Sequence, residues 1–185
     1  MNNLETNLPG LLLLEPDSER DAPYAVKWLE GEAGKTTLKL MGNPESGINS
    51  TTLEAEKARL KDFNKLGREG KQMTWMMQLN GVTIGAVWVV ITDTDHLPAP
   101  ALSVMIGDPA ARGQGIGTHA VQALIAYMRT ATDYSSIYAR HLVSNQASAH
   151  LLHSVGFTDF GPAYQDDDGL EFQNVSFVFS NTTQS

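Results

Sequence analysis

The dipeptide Asn80-Gly81 joins two apolar, β-branched runs, Met73–Leu79 and Val82–Ile91. A two-residue hairpin turn needs a positive φ at both central positions, and Asn followed by Gly meets that need with least strain. The centre of the chain must therefore form an antiparallel pair. A second unit downstream imposes the opposite rule. A strand at 101–107, a helix at 116–129 and a strand at 136–143 follow one another, and such a crossover makes its two strands parallel. The helix would bury Ile116, Ala120, Val121, Leu124, Ile125 and Met128, which recur at helical spacing. Both rules can hold only in a mixed sheet. The expected fold is α/β (α+β): one domain over residues 1–185, with its core at about 11–179. Its central sheet is mixed, mostly antiparallel, of about seven strands, and flanked by helices.

The remaining elements fit around this centre. Leu11–Leu14, stopped by Pro16, reads as a first strand, and Ser18–Leu29 as a helix capped by Asp17 or Ser18. Residues 31–50 are rich in Gly, Asn and Pro and read mostly as loop. Thr51–Leu66 carries Leu53, Ala58, Leu60, Phe63 and Leu66 at roughly helical spacing, with Gly67 as a stop. Asn145–Val155 reads as a helix with Ala147, Leu151, Leu152 and Val155 inward, ended by Gly156. Phe157–Phe160 and Val175–Phe179 close the chain as strands, and Trp75 and Trp88 read as core.

Composition narrows the function classes. With no cysteine among 185 residues, disulfides, thiolate zinc sites and cysteine nucleophiles are excluded. A net charge of −8 argues against nucleic acid as a partner, which calls for clustered positive charge. No apolar run approaches the ~20 residues that span a bilayer, so no membrane partner is expected. The first residues lack the pattern of a signal peptide, and a cytoplasmic location is expected.

The segment Arg112-Gly113-Gln114-Gly115-Ile116-Gly117 lies between a strand and the start of a helix. Alternate glycines let the backbone approach a ligand closely and direct N–H groups outward. The helix behind them adds unpaired N–H groups and a partial positive charge, so the turn suits a phosphate or pyrophosphate. Thr118 offers a hydroxyl and Arg112 a charge. A dinucleotide fingerprint would need its third glycine where Thr118 stands. The Gly34-Lys35-Thr36 sequence imitates a nucleotide-binding loop, but Leu29 replaces the required first glycine and a helix precedes it. It reads as a flexible loop. A structural turn without a ligand is the alternative at 112–117.

The segment 112–117, preceded by Asp108-Pro109, resembles the acetyl-CoA motif of the GNAT acetyltransferases, Gln/Arg-x-x-Gly-x-Gly/Ala. A second match follows on the helix after the next strand: Asn145-Gln146-Ala147-Ser148, then Leu151-Leu152, then Gly156-Phe157. The order of elements agrees from residue 11 to 179. The start (Leu11–Pro16, Asp21, Trp28-Leu29, Met41-Gly42) and the tail (Gly169–Val175) look like the branch that acetylates N-termini of ribosomal proteins. Asn174 stands where that branch usually has Asp. The resemblance implies a GNAT-like fold and acetyl-CoA as cosubstrate, with no metal. Strand 101–107 would splay from 136–143, with pantetheine bonding to backbone near Met105 and Ile106. Cofactor contacts would also come from Arg112, Gly113, Gln114, Gly115, Ile116, Gly117, Thr118, Asn145 and Ser148. An N–H around Val104–Ile106 would polarise the thioester carbonyl.

Acetyl transfer to a primary amine, either a protein N-terminus or a small molecule, needs a free amine, a polarised carbonyl and a proton for the departing thiolate. Direct attack in a ternary complex suits a chain without cysteine. The family's tyrosine acid would fall at Leu152, which cannot donate, and Ser148 is the substitute; a small packing residue is its alternative role. Glu171 and Tyr164 in the tail, and His96, Asp93 and Asp95 in the loop before strand 101–107, are weak base candidates. Asp166-Asp167-Asp168 reads as a solvated turn or a lure for a cationic acceptor. Leu152 and the missing base leave a non-catalytic acyl-CoA sensor as an alternative, as is transfer of a different acyl group. Pairing with a second copy is left open.

Overall fold

The computed structural model describes residues 2–94 and 96–179; Asp95 lies outside the described residues. Asn80 has φ 50° and Gly81 φ 85°, the two positive values that the central hairpin demands. The hairpin joins β3 (Gln72–Leu79) to β4 (Val82–Val90). Met76 lies opposite Ala86, and a bulge falls between Met77 and Gln78. β1 (Leu4–Glu5) and β2 (Leu11–Leu14) extend the sheet on one side. β5 (Ala101–Ile106) and β6 (Ser136–Leu142) continue it on the other. β9 (Glu171–Val178) follows β6 and carries the two-residue strands β7 (Thr158–Asp159) and β8 (Tyr164–Gln165). The sheet has 9 strands, against the seven or so expected. The additional ones, β1 and β8, have 2 residues each, too few to show any periodicity.

Strand alternation divides the core between two faces. On one face Trp75, Met77, Val87 and Leu102 pack under α4 (Ile116–Ala131). On the other, Met76, Ala86 and Met105 meet α1 (Ser18–Leu29) and α3 (Leu53–Arg68) through Ala25, Trp28 and Leu60. Trp75 pairs with Val87 and Trp88 with Thr74, so the two tryptophans face opposite ways. Trp75 is core, as expected. Trp88 is half-buried and is not.

A buried carboxylate fixes α1 to the sheet. Asp21 is fully buried, and it accepts Arg20 Nε and Nη2 at 2.7 Å each, the Thr83 hydroxyl at 2.8 Å and the Asp17 N–H at 2.8 Å. The Asp21 carboxylate holds the Arg20 guanidinium above its ordinary pKa. Thr83 lies in β4, so the bond crosses from helix to sheet. Asp17 is the N-cap, accepting the Glu19 and Arg20 N–H groups at 2.9 and 2.8 Å. The Arg20 N–H is the leading cause of a carboxyl held below the usual aspartate value.

Three local expectations are corrected. Residues 31–40 form a helix, α2 (Gly31–Leu40), rather than loop. Gly34 is glycine there because a Cβ would meet the Leu29 carbonyl carbon at 2.2 Å, so its absence lets α2 close on the end of α1. Lys35 points to Glu32 at 2.8 Å and is helical, which removes the phosphate-loop imitation altogether. Gly67 does not stop α3, which ends at Arg68, with Gly70 in the left-handed region. Ala147 is exposed, whereas Leu152 is buried as expected.

Asp21→Ala would leave Arg20 and Thr83 without their acceptor. It is expected to cost about 3 kcal/mol in urea unfolding. A loss under about 1 kcal/mol would contradict a structural role for this carboxylate.

Candidate active site

β5 and β6 are parallel neighbours, yet their pairing is confined to Ala101 opposite Tyr138, with Tyr138 N–H donating to the Pro100 carbonyl at 2.9 Å. Beyond that point the strands diverge. The β4–β5 ladder fixes which main-chain groups face the opening. Gly107 N–H donates to the Ile84 carbonyl, and antiparallel alternation then turns residues 105 and 103 toward β4 and residues 104 and 106 away from it. The N–H and C=O groups of Val104 and Ile106 therefore face the gap. Met105 does not offer its main chain there; its side chain lies on the α1/α3 face instead. Of the two residues expected to meet pantetheine through the backbone, Ile106 therefore turns its main chain to the gap and Met105 does not.

One end of the gap is closed by the glycine turn. Gly113 has φ 72° and Gly115, the N-cap of α4, has φ 74°. A Cβ at either would meet nothing within 4 Å, so glycine is required there by the backbone angle, and open space lies above it. Gly117 differs: a Cβ there would meet Leu151 Cδ1 at 2.5 Å, so this glycine permits close packing of α4 on α5 (Gln146–Ser154). From Gly113 to Thr118 no N–H has a hydrogen-bond partner among the described residues. These groups are the unpaired donors of a long helix and its approach, an arrangement that suits an anion. Gln114 turns back to the Ala110 carbonyl at 2.7 Å.

Arg112 has a bracing position. Its Nε donates to the Ile106 carbonyl at 3.0 Å, and its Nη2 donates to the Gly107 carbonyl at 3.3 Å and the Thr37 hydroxyl at 2.8 Å. It ties the turn to β5 and to α2. Asn145 is the corresponding brace on the far wall. Its Oδ1 accepts Ser148 N–H at 3.1 Å as the cap of α5, and its Nδ2 donates to the Leu40 carbonyl at 2.9 Å. The end of α2 consequently spans the gap, from Arg112 to Asn145.

Ser148 is half-buried one turn before the buried Leu152, on the same face of α5, and its hydroxyl has no partner among the described residues. Glu171 is placed elsewhere. Alternation along β9 turns it to the opposite face from Phe172 and Asn174, where it is exposed. Asp93 bends back to accept Ala99 N–H at 2.8 Å, and Asp166 holds a tail turn by accepting the N–H groups of Asp168 and Leu170. Tyr164 and His96 do come together, stacked with ring centroids 5.7 Å apart. Arg140 joins them, donating to the Tyr164 hydroxyl at 3.2 Å with its guanidinium 4.2 Å from the Phe172 ring centroid. Because Ala101 pairs with Tyr138, Arg140 projects to the same face as Ser103 and Met105. Arg140 escaped notice in the sequence because only the strand register reveals which face it takes.

The family model for the acetyltransferase (GNAT) domain matches residues 11–158, and the chain belongs to the GNAT acetyltransferases. Its similarity to named proteins follows that assignment. The human alpha/beta-tubulin-N-acetyltransferase 9 is 31% identical over 74 residues, which is 40% of this chain and 36% of that protein. The solved structure of RimL, a ribosomal L7/L12 alpha-N-protein acetyltransferase, in complex with coenzyme A superimposes with a TM-score of 0.78 at 17% identity, covering 95% of this chain and 98% of that one. The microcin C7 self immunity acetyltransferase MccE, in complex with acetyl-CoA and AMP, gives 0.75 at 15% identity, covering 93% and 94%. At such identities the likeness establishes the fold, which by itself does not fix the acceptor.

Gly115→Val places a β-branched residue at a positive φ and fills the space above the turn. It is expected to weaken coenzyme A binding at least tenfold in calorimetry, about 1.4 kcal/mol. Unchanged affinity in a folded variant would contradict a phosphate site at this turn.

Proposed function

We propose that the protein transfers an acetyl group from acetyl-CoA to a primary amine, on a peptide N-terminus or a small molecule, by direct attack within a ternary complex. The observation that carries this proposal is the continuous row of unpartnered N–H groups from Gly113 to Thr118 at one end of a gap whose wall offers the main chain of Val104 and the N–H of Ile106, the Ile106 carbonyl being taken by Arg112. A diphosphate fits the first and a pantetheine amide the second, with Asn145 and Ser148 on the opposite wall. Arg112 positions the turn and adds to its field.

In this proposal the amine lone pair attacks the thioester carbonyl, the C–N bond forms and the C–S bond breaks. Negative charge on the carbonyl oxygen is met by a gap-facing N–H of Val104 or Ile106. The departing thiolate takes a proton from the Ser148 hydroxyl, which recovers one from the amine through solvent. The face with Arg140, Tyr164 and His96 borders the acceptor. The sequence features of the ribosomal-protein branch support a protein N-terminus as acceptor, and the tubulin acetyltransferase match is consistent with it.

Ser148→Ala is expected to lower kcat for thiol release at least tenfold while coenzyme A affinity stays within about twofold, which separates proton donation from binding. An unaltered kcat would remove Ser148 as donor. Acetyl-CoA binding without release on any amine or peptide would instead favour an acyl-CoA sensor.

A further inference from the structure

On the α1/α3 face, next to the gap, lies a cavity of about 250 Å³. Its floor is the sheet, through Met76, Ala86 and Met105, and Trp28 and Trp88 line it as well. Leu38 and Met41, on either side of the Leu40 carbonyl that holds Asn145, close it from above. The cavity is therefore bounded by the same strand and the same helix end that bound the gap. Its size falls below the roughly 300–1,000 Å³ of a site for a whole drug-sized ligand. It equals the liquid volume of about eight waters at ~30 Å³ each. That is room for one large side chain.

Its chemistry is as restrictive as its size. The one ionisable side chain in its lining is Arg59, and that charge is already matched. Arg59 donates to the buried Glu56 carboxylate, which also accepts the Thr51 hydroxyl, and its guanidinium lies 5.5 Å from the Phe63 ring centroid. No lining carboxylate is free to receive a cation, and Asn43 and Gln72 are the remaining polar residues. A charged occupant would lose hydration with nothing in exchange, whereas an apolar one gains by burial.

We infer that this cavity selects the acceptor: it receives a large, uncharged apolar group carried close to the amine that is acetylated, such as the first side chain of a peptide beginning with Leu or Phe, or the aryl group of an arylalkylamine. The inference rests on the proposed acetyl transfer. Trp88, the half-buried tryptophan of the sheet, is then a specificity residue, with Ala86 setting the depth of the floor.

The test is thiol release from acetyl-CoA by full-length protein, with peptides beginning Gly, Ser, Leu or Phe, and with ethylamine and 2-phenylethylamine. The wild type should favour Leu or Phe over Gly at least tenfold in kcat/KM if the source is a peptide. It should favour 2-phenylethylamine over ethylamine by a similar factor if the source is a small amine. Ala86→Phe, which fills the floor, and Met41→Trp, which fills the space from the more exposed α2 side, should each bring that ratio to within about threefold of unity. Circular dichroism matching the wild type confirms that a variant is folded. A wild-type preference for Gly and Ser, or a ratio that neither variant changes, overturns the inference while leaving acetyl transfer intact. So does selective loss of transfer from hexanoyl-CoA in the variants, which would give the cavity to the acyl chain. No release from any acceptor would remove the acetyl-transfer proposal itself, and this inference with it.

Discussion

The divergence of β5 from β6 after Ala101 and Tyr138 is the constraint from which the rest of the site follows. A parallel pair that stayed in register would satisfy its own main chain and leave nothing to offer a ligand. Once the strands part, Val104 and Ile106 hold polar groups without strand partners in the middle of the sheet. Such groups are costly to bury and useful to expose. The braces keep the gap from closing. Arg112 reaches from the turn to Ile106 and Thr37, and Asn145 reaches from α5 to Leu40, so that α2 is anchored at both walls.

Glycine has different physical duties around this gap. Gly115 is there for its φ of 74°, with open space above. Gly117 and Gly107 are there for lack of a side chain, the first against Leu151 and the second against the Trp28 ring, where a Cβ would sit 2.2 Å from Cδ2. Trp28 belongs to α1, which Asp21 fixes to β4 through Thr83. The buried carboxylate, the tryptophan and the glycine therefore set how closely α1 lies over the end of β5.

Much of this was legible in the sequence where a local rule had no competitor. Asn80-Gly81 admitted one kind of turn, and α4 announced itself through an apolar stripe preceded by glycines. The glycine turn was found because its chemistry is mainly backbone, and backbone geometry is what glycine spacing encodes. Where tertiary contact outweighed propensity, the sequence misled. Gly31, Gly34 and the Gly42-Asn43-Pro44 segment imply loop, yet α2 forms because Gly34 can pack on the Leu29 backbone. Trp88 looked like Trp75 because both lie in apolar strands, and only the hairpin register separates their faces. The faces of Arg140 and Glu171 are not legible in the sequence for the same reason: the face that a strand residue takes depends on pairing far away in sequence.

In the proposed reading a backbone feature holds the cosubstrate, and acceptor choice is left to side chains on the other face. This division lets one fold carry different acceptor specificities. The most direct measurement of its first half is an amide NMR titration of the unmodified protein with coenzyme A. The largest shifts should fall on Gly113 to Thr118 and on Val104 and Ile106, with Met105 less affected because its N–H is engaged with β4. Shifts centred on α2 around Lys35, or spread without a focus at the turn, would contradict the placement of the cosubstrate in the gap between β5 and β6.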